Sequence, residues 1–241
     1  MIGKLANPNR FFRLARFVQP VACMLALLLL AAGLYQALVL SPPDYQQGET
    51  VRIMYIHVPA AWLGLFVYTS MAIAAICSLI WGHIMADIYN RAAAPLGAAM
   101  TALCLITGSL WGEPMWGTWW VWDARLTSML VLLFLYFGYI ALVRGFDNPL
   151  QADKSANILL VVGLVNVPII KFSVDWWATL HQPASIIRLG GPTVDKTMLW
   201  PLLTMIAAFS LGFVALVLVR MKSEFAARKQ ILQQLRLVVA D

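Results

Sequence analysis

The composition of this 241-residue chain excludes an ordinary water-soluble domain. Hydrophobic residues make up 61% of it, charged residues make up 12%, and its mean hydropathy is +0.78. Soluble proteins are about 45–50% apolar and about 25% charged. A helical bundle in a bilayer suits the chain better, because each membrane crossing takes roughly 20 residues. We therefore predict an all-α, polytopic integral membrane protein with one domain over residues 1–241.

Six apolar runs predict six transmembrane helices. The fifth run contains Asn166 and Pro168 and ends beside Lys171. We expect its outer end to be kinked and lined by protein or water, because a polar break exposed to lipid is costly. The predicted spans lie at about 21–40, 58–80, 92–112, 126–143, 156–172 and 197–219.

The basic residues predict the orientation of the chain in the membrane. If both termini are cytoplasmic, 12 of the 17 Lys and Arg residues lie on the inner side, as the positive-inside rule requires. Three outer segments result, at roughly 41–57, 111–125 and 171–196. The net charge of +6 is concentrated in the two terminal tails rather than in a soluble basic patch, so we predict no nucleic-acid partner.

Five tryptophans crowd the second predicted outer segment, at 111–125. An aromatic belt at the headgroup level is one explanation, although belts usually form at both membrane interfaces and spread over many helices. The alternative is a platform for a large apolar ligand, because indole rings offer wide, rigid surfaces. A planar macrocycle, a quinone, a sterol or a lipid tail would all suit such a platform. The five residues are Trp111, Trp116, Trp119, Trp120 and Trp122.

Two histidines lie on the same predicted side as the tryptophans. His57 is at the outer start of the second span, and His181 is in the last outer loop. A single histidine at a helix end usually only forms hydrogen bonds, but two from separate loops make axial ligation of haem iron a hypothesis. The third, His83, lies in an inner loop and is interpreted as an interfacial residue.

Charged residues near these histidines complete the candidate site. Arg52 and Arg125 could pair with the propionates of a haem, since a guanidinium matches a carboxylate, or they could only anchor helix ends and pair with acidic neighbours. Asp123 is expected to accept hydrogen bonds from backbone or indole N–H groups and to hold the shape of the turn.

Three motifs resemble those of a known family. The stretch WGEPMWGTWWVWDARLTS is similar to the tryptophan-rich WWD signature of haem-handling membrane proteins, here at about residues 111–127. Together with RIMYIHVPAAW and VNVPIIKFSVDWWATLHQP, it resembles the CcmC family of bacterial cytochrome c maturation over residues 42–200. The resemblance implies that His57 and His181 are axial ligands of the iron of haem b. It also implies a haem-binding wall from Trp111 to Asp123, with Arg52 and Arg125 beside the propionates.

The resemblance also implies a function. Proteins of this kind hold haem at the periplasmic face of the bacterial inner membrane and present it for covalent transfer to the haem chaperone CcmE. They work beside CcmD and the ABC-type subunits CcmA and CcmB. We therefore expect a multi-pass haem-transfer factor rather than an enzyme, since the chain has no nucleotide-binding or hydrolytic motif. A transmembrane haem transporter subunit and a structural subunit that docks partners remain as alternatives.

Overall fold

The computed structural model describes residues 7–182 and 190–240, and every regular element in these residues is helical. A π-helical turn at Gln36–Leu40 extends the first helix, and a 3-10 turn at Glu49–Ile53 leads into the second. The α-helices are α1 (Pro8–Tyr35), α2 (Met54–Trp81), α3 (Ile84–Trp116), α4 (Ala124–Gly145), α5 (Pro149–Gly163), α6 (Asn166–Trp176) and α7 (Lys196–Ala240).

Within residues 7–182 and 190–240, six helical segments are long and apolar enough to cross a membrane, which confirms the predicted number of spans. Each contains its predicted apolar run and is longer, because hydrogen-bonded turns continue into the flanking polar residues. The α5 and α6 helices together form one span. The six segments are Pro8–Leu40, Glu49–Trp81, Ile84–Trp116, Ala124–Gly145, Pro149–Trp176 and Lys196–Gln230.

The helix ends follow from local sequence. Asn148 and Asp123 accept backbone N–H bonds at the starts of α5 and α4, as N-cap residues do. Gly82 and Gly117 end α2 and α3 with φ of +62° and +71°. This left-handed conformation is open to glycine without steric cost, so these two positions stop their helices.

The α2 and α3 helices form the centre of the bundle. They pack along each other, and α7 packs on both, while α1 lies against α7 at the periphery. Small residues permit this close approach. A methyl group at Gly64 would lie 2.9 Å from the Thr101 hydroxyl oxygen, and one at Gly97 would lie 2.4 Å from the Tyr136 ring. Dispersion contacts of this kind drive helix association in lipid, where the hydrophobic effect does not.

The surface of the bundle is apolar, as expected in hydrocarbon. On α1, Phe17 and Leu27 are both 62% exposed, and Val162 on α5 is 66% exposed. In water such exposure of large apolar side chains would promote aggregation, whereas lipid tails solvate it. The exposed surface therefore agrees with the membrane assignment made from composition.

The predicted interruption of the fifth span is confirmed. The α5 helix ends at Gly163 and α6 begins at Asn166. The side-chain amide of Asn166 donates to the Ser128 carbonyl on α4 over 2.9 Å. The polar group at the break is thus paired with protein, as the cost of an unpaired group in lipid requires.

The bundle has two chemically different ends. We call the end at which α2 and α4 begin the tryptophan end, because it carries Trp111–Trp122. At the opposite end, Asp153 is almost buried and accepts from Arg91 at 2.6 Å and from Arg228 at 3.0 Å. Asn157 beside it donates to Asp87 over 2.8 Å. This ion-pair cluster fastens α3, α5 and α7 together.

Candidate functional site

The tryptophan-rich segment is partly helical, which corrects the expectation of a turn from residue 111 onward. The α3 helix continues through Trp116, and only residues 117–123 are irregular. Pro114 lies within the last turn and does not end the helix, although its ring nitrogen cannot donate a backbone bond. Gly117 then ends the helix, with its N–H bonded to the Glu113 carbonyl over 2.9 Å.

His57 lies in the first turn of α2 and faces α3. Its Nδ1 is 3.1 Å from the Thr107 hydroxyl oxygen, and its ring packs on Gly108. The Thr107 hydroxyl has one hydrogen, and it donates that hydrogen to the Leu103 carbonyl over 2.7 Å. It therefore accepts from His57, so the proton of the imidazole is on Nδ1. The lone pair of Nε2 remains available for a ligand.

His181 is held by a carboxylate. Its Nδ1 lies 3.0 Å from Oδ2 of Asp123, and the same oxygen accepts from the Thr179 hydroxyl. The other oxygen, Oδ1, accepts from the N–H of Leu126 over 2.8 Å and so caps α4. Because a carboxylate only accepts, His181 also carries its proton on Nδ1 and leaves Nε2 free. The expected backbone bond of Asp123 is confirmed, and its contact with His181 is new.

The charge states of this pair favour a neutral imidazole. Burial lowers the pKa of His181 below its ordinary value, although the hydrogen bond and the charge of Asp123 oppose that shift. Burial would raise the pKa of Asp123, but the hydrogen bonds from Thr179, Leu126 and His181 outweigh it and lower the pKa. At neutral pH a neutral His181 therefore donates to a charged Asp123, and a neutral imidazole is the form that binds metal.

Two of the five tryptophans contact the histidines. Trp111 meets His57 edge to face, with ring centres 5.7 Å apart, and its indole N–H donates to Gln47 over 2.9 Å. Trp116 meets His181 in the same manner, with ring centres 4.9 Å apart. These rings limit the rotation of the two imidazoles.

The other three tryptophans lie in the irregular segment. Trp119 and Trp122 are 58% and 75% exposed, and Trp120 meets Trp122 edge to face at 74°. Trp120 and Trp122 therefore do not lie in one plane, so the expected shared surface is not a flat wall across all five rings. The buried indole N–H of Trp120 has no hydrogen-bond acceptor among the described residues.

Arg52 is already paired. Its guanidinium contacts Glu49 in an ion pair and donates to the Ala37 carbonyl in the π-helical turn. This is the anchoring alternative that the sequence left open. The role of Arg52 beside a propionate, which was expected from the sequence, stays a prediction. It would require the guanidinium N–H groups that do not bind Glu49 or the Ala37 carbonyl.

Arg125 differs from Arg52 in having no ion-pair partner within the described residues. Its Nε donates to the Ser173 hydroxyl on α6 over 3.2 Å, which fixes the side chain between α4 and α6. The guanidinium is half-buried, and its terminal nitrogens make no hydrogen bond among the described residues. A half-buried, fixed guanidinium whose terminal nitrogens have no hydrogen-bond acceptor among the described residues is suited to an external carboxylate, although the charges of Asp123 and Asp175 also act on it.

The structure therefore brings the predicted site residues to one end of the bundle. A charge on His181 or on Arg125 would be felt at His57, so the three groups share one electrostatic environment. His83 lies at the opposite end, where it precedes α3. The arrangement offers two neutral imidazole nitrogens and, beside exposed aromatic surface, a guanidinium with no ion-pair contact among the described residues.

Sequence reasoning missed several residues that support this site. Thr107 could have been found, because it lies four residues before Trp111 and so shares its helical face. Thr179 and Gln47 gave no comparable signal, since each reaches its partner through loop geometry that periodicity does not encode.

Comparisons with known proteins identify the family to which the chain belongs. The family model described as CcmC, Heme exporter protein C, matches residues 1–236. The chain belongs to this family. It is 56% identical over 225 residues to Heme exporter protein C of Bradyrhizobium diazoefficiens, covering 93% of this chain and 85% of the relative.

More distant members extend the same similarity. Heme exporter protein C of Escherichia coli K12 is 46% identical over 222 residues, covering 92% of this chain and 89% of the relative. A protein of Marchantia polymorpha named as a putative cytochrome c biosynthesis ccmC-like mitochondrial protein is 46% identical over 181 residues, covering 75% of this chain and 76% of the relative. Membership of a haem-handling membrane family thus rests on most of the chain.

Proposed function

We propose that the protein binds haem b at the tryptophan end through Nε2 of His57 and Nε2 of His181. The observation that carries this proposal is the matched state of the two imidazoles, each of which has its proton held on Nδ1 by a protein acceptor. Haem iron takes two axial ligands, and imidazole is a common one. The donor set therefore fits the substrate in number and chemistry.

The surroundings of the histidines suit the rest of the molecule. Arg125 has guanidinium N–H groups that no described residue accepts, and these could bind a propionate. Trp119 and Trp122 present exposed aromatic surface to an apolar macrocycle. Arg52 would serve as a second propionate partner through its unused N–H groups. Family membership supports haem as the substrate, since the relatives are named haem exporter proteins.

We further propose that the bound haem is presented for covalent transfer to the chaperone CcmE, with CcmD and the ABC-type subunits CcmA and CcmB as partners. The site would then face the periplasm, with both termini in the cytoplasm of a bacterial inner-membrane protein. The contribution of this chain is to hold and orient the haem, which is why we describe a transfer factor rather than an enzyme.

An absorption spectrum of the detergent-purified protein, co-expressed with its chaperone, tests the proposal. We expect six-coordinate, low-spin haem in the parent, and loss or a spectral shift in both His57→Ala and His181→Ala. His83→Ala, at the opposite end, is the matched control and should leave the spectrum unchanged. A structural docking subunit predicts instead that haem binding and chaperone loading survive both site substitutions, and that result would reject the ligand assignment.

A further inference from the structure

The two imidazoles are held by acceptors of unequal strength. Thr107 offers His57 a neutral hydroxyl oxygen at 3.1 Å, whereas Asp123 offers His181 a carboxylate oxygen at 3.0 Å. Both bonds are made by Nδ1, so the two histidines differ in the charge of the acceptor and not in the atom that donates. This difference in the charge of the acceptor affects how basic each Nε2 is, and therefore how strongly each can bind iron.

The bond from His57 remains a neutral one. Thr107 uses its hydrogen on the Leu103 carbonyl and accepts from the imidazole with an uncharged oxygen. Such a bond fixes the tautomer and the ring orientation, but it transfers little electron density to the ring. His57 therefore presents an ordinary neutral imidazole nitrogen.

The bond from His181 is charge-assisted. The Asp123 carboxylate is charged at neutral pH, its side chain is only 5% exposed, and Thr179 and Leu126 hold both of its oxygens in place. A carboxylate that accepts from Nδ1–H draws the proton toward itself and raises the basicity of Nε2. Charge-assisted bonds are roughly twice as strong as neutral ones.

We propose that the two axial positions are unequal, with His181 as the anchoring ligand and His57 as the exchangeable ligand. This inference rests on the proposed haem-binding function. When another Lewis base approaches the iron, His57 Nε2 leaves and the newcomer takes its place. One electron-pair donor replaces another, and the oxidation state of the iron is unchanged.

If only the rigidity of the secondary structure mattered, His57 would be the anchoring ligand and His181 the exchangeable one. His57 is on a membrane-spanning helix, whereas His181 follows α6 in a loop. The contacts of His181 oppose that expectation, because Asp123 links it to the N-terminus of α4 and Trp116 packs against its ring. The loop histidine is thereby attached to two helices.

Carbon monoxide is a direct probe of the exchangeable side. In the reduced parent protein, carbon monoxide should displace His57 and leave His181 opposite to it. Resonance Raman spectra of that adduct should match those of His57→Ala, in which only His181 remains as a histidine ligand. The adduct of His181→Ala is the matched reference for the opposite outcome, in which carbon monoxide displaces His181 and His57 remains bound.

Three results would overturn the inference while leaving haem binding intact. The parent adduct could match His181→Ala, it could be an equal mixture of both forms, or the two reference adducts could be indistinguishable. By contrast, an absence of haem from the parent protein would contradict the proposed function itself. The two failures are therefore separable.

Substitutions of the acceptors give an independent readout if a histidine variant fails to fold. Asp123→Asn retains an oxygen for the Leu126 N–H but places an amide N–H₂ donor where His181 had a charged acceptor, and Thr107→Val removes the neutral acceptor from His57. We expect the haem midpoint potential to rise more in Asp123→Asn, because the more basic imidazole stabilises ferric iron. The loss of haem affinity should be about 10- to 100-fold in Asp123→Asn and smaller in Thr107→Val. Equal shifts, or a larger shift in Thr107→Val, would contradict the inference.

Discussion

The sharpest test of the site exploits the glycine against which His57 packs. A methyl group at position 108 would lie 3.0 Å from His57 Cε1 and 3.5 Å from Nδ1, so the imidazole would have to retreat by a few tenths of an ångström. The bond from Nδ1 to Thr107 is 3.1 Å long and would approach the distance at which a hydrogen bond is lost. Gly108→Ala therefore disturbs a proposed ligand without replacing it.

We expect Gly108→Ala to weaken haem binding by up to about 10-fold, the lower end of the usual effect of disturbing the residues that orient a metal ligand. The measurement is a haem titration of the detergent-purified protein, followed by absorbance. Intrinsic helix propensity acts in the opposite direction, since Ala is favoured over Gly in a helix by about 0.8–1.0 kcal/mol. A loss of binding therefore cannot be attributed to a weaker α3.

Gly212→Ala on α7 is the matched control, because among the described residues its methyl group would meet only Ala26, at an ordinary contact distance of 4.0 Å. It should bind haem like the parent protein. Unchanged haem affinity and an unchanged spectrum in Gly108→Ala would refute the reasoning, because they would show that the position of His57 does not matter.

Further predictions concern the stability of the bundle. Replacing Asp153 with Asn should cost about 3–5 kcal/mol in unfolding free energy, measured by denaturation in mixed micelles, because two guanidiniums lose a buried partner. The same change at Glu49, whose side chain is 68% exposed, should cost less than about 1 kcal/mol, and equal costs would contradict this account. Gly163→Ala should cost about 1–3 kcal/mol, since its methyl group would lie 2.1 Å from the Tyr68 hydroxyl, and removing that hydroxyl with Tyr68→Phe in the same chain should restore part of the loss. Gly117→Ala should cost about 1–2 kcal/mol through its positive φ, since no neighbouring atom of the described residues lies within 4 Å of the added methyl group, and an unchanged melting temperature would argue against this conformation.

Hydropathy predicted the architecture well because the bilayer imposes a length and an apolar composition on each span. The break at Asn166 was predictable for the same reason, since a polar residue and Pro168 inside an apolar run require protein contacts. The end of α3 was not predictable in this way. The helix continues through Trp116 because it stops where Gly117 takes a positive φ and not at Pro114.

The site was predictable in its residue types but not in its connections. His57 and Trp111 each lie near a helix end, so the number of spans between them was enough to predict that they are on the same side of the membrane. The bond between His181 and Asp123 joins residues 58 positions apart, and Thr179 bridges them through a loop with no periodic pattern. No local rule in the sequence specifies such a contact, and so the difference between the two histidine environments emerged only from the structure.

The π-helical turn at Gln36–Leu40 bears on how the family can vary in length. Its closing bond runs from the Ser41 N–H to the Gln36 carbonyl over 2.8 Å, five residues back instead of four, so the turn accommodates one residue more than an α-helical turn does. Loss of one residue here would return the backbone to regular α-helix and leave Ser41 in reach of its partner Tyr55. A deletion inside α3 near Gly108 would instead rotate every later residue by about 100°, because successive residues of an α-helix are offset by that angle. Natural insertions and deletions should therefore accumulate at the end of the first span and be absent from the third.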